Sequence, residues 1–220
     1  MAYLDFISGI HGGTKRDYLQ RVVGADKATC ARVAGRFGVE YFDGGREHGY
    51  GGYRYDGRWR QMAQRLTSHY GLSSGDRVLD IGCAKGFLLY EFTQVVPGIE
   101  IAGIDVSEYA IEHAKPEVAS ALQVGNATAL PYADGRFDLV VSINTLHNLR
   151  LPELETALRE MERVSRRAKY LIVDGYRTEE EKVNLMYWQL TCECFFTPDE
   201  WEWIFRQTGY TGDYACIYYE

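Results

Sequence analysis

From residue 76 onward, apolar residues come in short runs that alternate with longer stretches where they recur every three or four positions. In order these are RVLDI, FLLYEFTQVV, IEIAGID, SEYAIEHA, ALQVG, FDLVVSI, PELETALREMERVS and KYLIVDG. Near-continuous apolar runs are the mark of strands covered on both faces, and the interleaved 3.6-residue pattern predicts crossover helices between them. The class implied is α/β. From Pro152, Leu154, Leu158, Met161 and Val164 share one helical face, while Glu155 and Arg159 pair four apart on the other. Thr197, Pro198 and Glu200 form a capping-box start for another helix that Gly209 should end, leaving room for a last strand at about Tyr214–Tyr219.

The first seventy residues differ. KRDYLQRVV and DKATCARVAGRFG read as two short amphipathic helices, followed by the glycine- and tyrosine-rich YFDGGREHGYGGYRYDGRW and a helix RWRQMAQRLTSHY closed by Gly71. Residues 1–70 are therefore expected to form a helical cap or lid on a core spanning 71–220, the whole being one compact domain. The chain has no internal repeat and no heptad array.

Composition narrows the functional classes. A net charge of −7 and a pI near 5.3 give no general field for phosphate backbones, so nucleic-acid binding is disfavoured. The five cysteines include one close pair, Cys192 and Cys194, with no second pair to complete a zinc site, so reduced thiols and no metal are expected. There is no apolar run of the roughly 18 residues needed to span a bilayer. A soluble, cytoplasmic chain without membrane contact is the expectation.

The segment VLDIGCAKG carries the first chemistry. A dinucleotide fingerprint starting at Gly82 would need glycines at positions occupied by Ala84 and Phe87. Asp80, two residues before the glycine, would repel a pyrophosphate but could orient a cationic amine. Asp105 ends the next strand, nineteen residues beyond Gly86 (105 − 86); a carboxylate there can accept from both hydroxyls of a ribose.

The ordered set VLDIGCAKG, GIDVS, GNATALP and FDLVVSINTLHNL, over roughly residues 76 to 175, resembles the class I methyltransferases that use S-adenosylmethionine. The resemblance implies a Rossmann-like, doubly wound and mainly parallel sheet with an antiparallel C-terminal strand. It places Asp80, Gly82, Cys83, Ala84 and Gly86 along the methionine moiety of the cofactor, Asp105 at the ribose, and Asn126 with Ala127 at the adenine; Val106 and Asn144 complete that set. Ala84 stands where the middle glycine is usual, which a negative φ would accommodate. Asn126 stands where Asp is frequent, and its amide oxygen could still accept from the adenine amine.

His147, in the loop after the fourth strand, is the candidate base, against the plainer reading of a packed or capping histidine. Tyr53 or Arg58 could bind the cofactor carboxylate, and Tyr50 or Tyr55 could line the acceptor pocket, unless this segment is only a structured turn. Tyr187, Trp188 and Phe195 could form an acceptor wall or belong to the core, and Asp174 or Asp43 could hold a cationic acceptor. The function expected is methyl transfer from S-adenosylmethionine, leaving S-adenosylhomocysteine, to nitrogen or oxygen of a small polar metabolite, sugar or natural-product intermediate. The partner is then a small-molecule acceptor, with a homodimer possible. An RNA-modifying enzyme and a catalytically silent adenosine- or partner-binding module are the alternatives.

Overall fold

The computed structural model describes residues 1–11 and 16–220. The predicted strand-helix rhythm is present. Strands β1 (Arg77–Ile81), β2 (Glu100–Asp105), β3 (Leu122–Val124), β4 (Phe137–Ile143), β5 (Ser165–Asp174) and β6 (Asp213–Ile217) form one sheet in the order β3-β2-β1-β4-β5-β6. All its pairings are parallel, β5 with β6 included, where Tyr170 faces Asp213 and Asp174 faces Ile217. The expected antiparallel C-terminal strand is therefore corrected. The physical reason is the long connection after β5, which carries two helices back along the sheet, so that β6 starts from the same end as its neighbour. CECFF adds no named strand: its Phe196 makes only an isolated parallel bridge to Gly175.

Side chains alternate between two cores, as period two requires. Val78, Leu139, Val141, Tyr170 and Ile172 face one side, whereas Leu79, Val140, Leu171 and Val173 face the other. The first face is covered by Met62 and Leu66, Leu88 to Phe92, and Leu185; the second by Leu154, Leu158 and Met161 with Trp201 and Phe205. The helices carrying these residues are, in chain order, α5 (Arg60–Tyr70), α6 (Phe87–Val95), α8 (Leu151–Val164), α9 (Glu179–Trp188) and α10 (Pro198–Thr208), with the short α7 (Glu108–Glu112) after β2. Helix α10 has the predicted capping box, with Thr197 and Glu200 bonded reciprocally, and ends on left-handed Gly209.

Within residues 1–70, expected to be a cap, α1 (Ser8–His11), α2 (Tyr18–Val23), α3 (Lys27–Ala34) and α4 (Val39–Phe42) precede α5, whose Met62 and Leu66 belong to the sheet's core. Asp17 and Asp26 cap α2 and α3 by accepting from Gln20 and Thr29 N–H. Residues 2–4 leave the cap and run beside β6: Leu4 N–H donates to Tyr214 O at 2.8 Å and Tyr214 N–H to Ala2 O at 3.0 Å. Lys27 reaches from α3 to the end of α9 and donates to the carbonyls of Tyr187 (2.8 Å) and Gln189 (2.7 Å), which fixes the segment bearing Trp188. Burial pushes the Lys27 ammonium down to about 8.

Candidate active site

The strand order reverses between β1 and β4, and at such a point the outgoing loops diverge and leave a crevice. A cavity of about 570 Å³ opens there, bounded by the loops after β1, β2, β3 and β4, by Trp188 at the end of α9 with residues 189–191 after it, and by residues from the first seventy. Of the residues expected from sequence, it brings together Asp80, Gly82, Cys83, Ala84, Asp105, Val106, Asn126, Ala127, Asn144, His147, Tyr50, Tyr53, Arg58 and Trp188. Gly86 lies just behind the loop as the left-handed N-cap of α6.

Asp80 sits inside β1, paired through its backbone neighbours to both β2 and β4, and is 4% exposed. One carboxylate oxygen is buried with no hydrogen-bond partner. Burial, then the charge of Asp105, pushes its pKa up to about 8. An unpaired carboxylate in a cavity is unfavourable unless a cation arrives to pair with it. Asp105 differs. Its Oδ2 accepts from Ala84 N–H at 2.8 Å and its Oδ1 from Ser107 N–H at 2.9 Å, so each oxygen keeps a lone pair for a further donor. Burial raises its pKa while those backbone bonds pull it back.

The loop between them has three left-handed residues, Gly82 (φ 80°), Ala84 (φ 49°) and Gly86 (φ 77°). The negative φ expected for Ala84 is thus overturned: the bond from its N–H to Asp105 holds a conformation that disfavours a Cβ by roughly 1–2 kcal/mol. Gly82 is obligatory for space as well, since a Cβ there would lie 2.0 Å from Thr145 Oγ1. Asn126 also departs from expectation. Its Oδ1 already accepts from Thr128 N–H (2.9 Å) and Thr128 Oγ1 (3.0 Å), so the NH2 is the part left to meet a ligand.

Over the cavity runs a chain of aromatic contacts from the cap to α6. Phe37 meets Tyr41 at 5.2 Å, Tyr41 meets Tyr50 at 5.2 Å, Tyr50 meets Tyr53 at 4.6 Å, and Tyr53 stacks on Phe87 at 5.0 Å. The arch is tied to the glycine loop by Lys85, whose ammonium lies 2.5 Å from Asp43 Oδ2 and 3.2 Å from Tyr53 O. Tyr109 donates to the same Asp43 oxygen at 2.8 Å.

His147 lines the cavity but is 2% exposed. Its Nδ1 accepts from Asp174 N–H at 3.1 Å. A neutral ring then carries its proton on Nε2, which faces Asp174 Oδ2 at 3.4 Å. Burial lowers the imidazole pKa, opposed by Asp174. The ring is thus held as a donor, a geometry that runs against the expected base. Its carbonyl accepts from Glu193 and Cys194 N–H at 2.9 and 3.0 Å, pinning the segment after α9.

Several expected acceptor residues have other partners. Asp174 is fully buried, accepting from Tyr219 OH at 3.0 Å and from Gln189 Nε2. Asp43 is occupied by Lys85. Neither is presented to a cationic acceptor. Tyr55 lies outside the cavity and donates to Glu91 at 2.6 Å, and Tyr187 is an exposed neighbour of Trp188 rather than part of the wall. Arg58 lines the cavity while paired with Asp56. His147, Asp174 and Cys192 bring possible ligand atoms within 4.8 Å of one another. Hydrogen bonds already satisfy Asp174, and Cys192 Sγ donates to Cys194 O at 3.3 Å. Sequence reasoning missed Phe37, Tyr41, Arg21, Arg46, Thr145 and Thr191, which also line the cavity; Thr145 belongs to the FDLVVSINTLHNL motif and Tyr41 and Arg46 to the glycine- and tyrosine-rich segment, while the other three belong to no motif.

Comparison with known proteins agrees with this architecture. Residues 72–209 match the model of a methyltransferase domain family. Among curated proteins, the O-methyltransferase resE of Aspergillus sclerotiorum is 29% identical over 163 residues, covering 69% of this chain and 59% of resE. The 27-O-demethylrifamycin SV methyltransferase of Amycolatopsis mediterranei is 30% identical over 113 residues, covering 48% and 40%. The chain thus spans less than two thirds of the length of these relatives. Among solved structures, YcgJ of Bacillus subtilis superposes with a TM-score of 0.53 at 20% identity, covering 67% of each chain. The [4+2]-cyclase SpnF does so with 0.52 at 26% identity, covering 70% of this chain and 61% of its own. No helix among the described residues is long and apolar enough to cross a membrane. The chain belongs to the class I methyltransferases, the family whose methyl donor is S-adenosylmethionine.

Proposed function

We propose that this chain transfers a methyl group from S-adenosylmethionine to an oxygen or nitrogen of a small molecule enclosed beneath the aromatic arch. The observation that carries the reading is the buried, unpartnered oxygen of Asp80 at the floor of the cavity. It suits the ammonium of an amino-acid-bearing donor and would be a liability without one. Asp105 then serves the ribose with its spare lone pairs, Asn126 and Ala127 flank the base, and Tyr53 with Arg58 stands near the amino-acid end. When bound, the donor supplies a methyl on a positively charged sulfur, which takes the C–S electron pair as an acceptor lone pair forms the new bond and the acceptor proton passes to solvent. The protein therefore needs no nucleophile of its own; it has to align the acceptor and exclude bulk water. Phe37, Tyr41, Tyr50 and Tyr53 form the cover. His147 acts as a positioning residue, holding the loop after β4 against residues 193 and 194.

A volume of about 570 Å³ is of the size of small-molecule sites, which favours a metabolite over RNA. The test is calorimetric titration with S-adenosylhomocysteine, followed by transfer of labelled methyl to panels of alcohols, phenols, amines and RNA. Saturable product binding with label on a small molecule is expected. Binding without transfer to any panel would return the chain to a silent module, and label on RNA alone would overturn the small-molecule reading. Substituting His147 by Gln should lower kcat with an unshifted pH profile; disappearance of an acidic limb from that profile would restore the base.

A further inference from the structure

The chain carries a net charge of −7, yet its cavity is lined by five arginines against two aspartates. The two aspartates lie at the ends of β1 and β2, where the donor half of the site is. Three of the arginines gather elsewhere, around Trp188, which follows β5 through α9. Arg21, Arg46 and Arg16 hold their guanidinium carbons 5.2, 5.5 and 5.6 Å from the indole centroid, and Arg16 also lies 5.0 Å from the Tyr219 ring. Arg21 donates to the carbonyls of Trp188, at 3.3 Å, and of Arg46. Neither Arg21 nor Arg46 forms a salt bridge with a carboxylate among the described residues.

Such a gathering is unfavourable in isolation. Burial, then the Arg46 charge, depresses the Arg21 pKa, opposed by Cys30 and Glu47. Arg21, Arg46 and Trp188 also border a second hollow of about 360 Å³ outside the cavity, so they stand in the partition between it and the exterior. Cations at the mouth of a cleft in an acidic protein concentrate anions there, and a guanidinium fork bonds an oxyanion through two N–H groups. The indole and the rings of Tyr41 and Tyr50 line the same cavity as that charge. Of the carboxylates, Asp17 and Glu47 border the outer hollow beside Arg21 and Arg46, whereas those lining the cavity itself are Asp80 and Asp105 at the strand ends.

We propose that the methyl acceptor is a planar organic oxyanion, a carboxylate or a phosphate ester, whose charge is received by Arg21 and Arg46 beside Trp188. The inference rests on the methyl-transfer reading above and names the class of its acceptor. The arginine-bound oxygens are neutralised there, so the atom methylated is a different oxygen or nitrogen of the same molecule.

The test titrates the protein, loaded with S-adenosylhomocysteine, with benzoate, phenyl phosphate, benzyl alcohol and benzylamine by calorimetry. At least one of the two anions should saturate at millimolar concentration and weaken as salt is raised, with the alcohol and the amine showing no saturation. The two anions separate carboxylate from phosphate. Arg46→Gln should weaken the anion by about tenfold while leaving the affinity for S-adenosylhomocysteine within twofold, and Arg46→Lys should recover part of the loss. Arg46 is exposed, so neither change threatens folding. Equal binding of the amine or alcohol, no saturation by either anion, or a loss confined to S-adenosylhomocysteine affinity in the Arg46 and Arg21→Gln variants would each overturn the proposal. In the last case the arginines serve the donor carboxylate. Failure of the wild-type protein to bind S-adenosylhomocysteine counts instead against the donor reading, and the anion titration is then read on the unloaded protein.

Discussion

The two halves of the cavity are built by different means. On the side proposed for the donor, each polar group is placed by a strand end or the turn directly after it: Asp80 by β1, Asp105 by β2, Asn126 after β3. On the side proposed for the acceptor, the wall is assembled from segments far apart in sequence: Arg21 from α2, Arg46 and Tyr50 from the irregular stretch after α4, and Trp188 from α9. Local backbone geometry defines the first half, and tertiary packing alone defines the second. A scaffold of this kind can keep one donor and change acceptors by altering the cap, and SpnF, similar in fold, is a [4+2]-cyclase.

The largest expected effect lies on the donor side. Asp80→Asn should weaken S-adenosylhomocysteine by about a hundredfold, the value of losing a hydrogen bond between charged groups, as read by calorimetry. The same change should raise the melting temperature of the donor-free protein at pH 8. The folded pKa of Asp80 lies near 8, above its ordinary 3.8. Its contribution to stability is therefore complete below that lower value and is lost as pH climbs toward 8. A variant that is neither weaker in binding nor more stable would remove Asp80 from its central place.

Lys85→Met comes next because it cuts the link between the two halves. It leaves Asp43 uncompensated beside Tyr53 and should cost about 2 kcal/mol in urea denaturation, with residues 43–58 becoming the first site of proteolysis. Cleavage unchanged in that segment would show that the cap is held without the glycine loop. Smaller again, taken per pH unit, is the pH effect on donor binding. Below about 8 the product's ammonium must displace a proton from Asp80, so affinity should rise by up to about tenfold per pH unit and level off above that value. A flat profile between pH 6 and 8 would mean that Asp80 is already ionised in the free protein. Smallest is Ala84→Gly, which relieves a left-handed Cβ and should change stability by no more than about 1 kcal/mol in the favourable direction; it leaves the acceptor side untouched.

These contrasts explain what sequence could and could not show. The strand runs, the glycine loop and both carboxylates were legible because they follow from short-range periodicity and from spacing along one chain segment. The direction of the last strand was not, because nothing within its five residues distinguishes parallel from antiparallel pairing; the preceding crossover decides it. Ala84 was misjudged because its φ is set by the carboxylate of Asp105, twenty-one residues away. His147 looked like a base because loop position and intrinsic pKa suggest one, whereas its tautomer depends on Asp174 N–H, across the chain. The arginines around Trp188 were invisible for the same reason. A charged residue on a short helix reads as a solvated face until the fold shows what it surrounds.

The strip at residues 2–4 bears on how the molecule is made. Ala2 N–H donates to Asp213 Oδ1 at 2.7 Å, across 211 positions. At roughly 5 to 20 residues per second, a ribosome takes about 10 to 40 s to traverse that interval. During that time β1 to β5 can zip together by short crossovers, while the first few residues wait without a partner. The strip beside β6 can therefore close only after the arch has had its own partners, Lys85, Phe87 and Tyr109, for most of the synthesis.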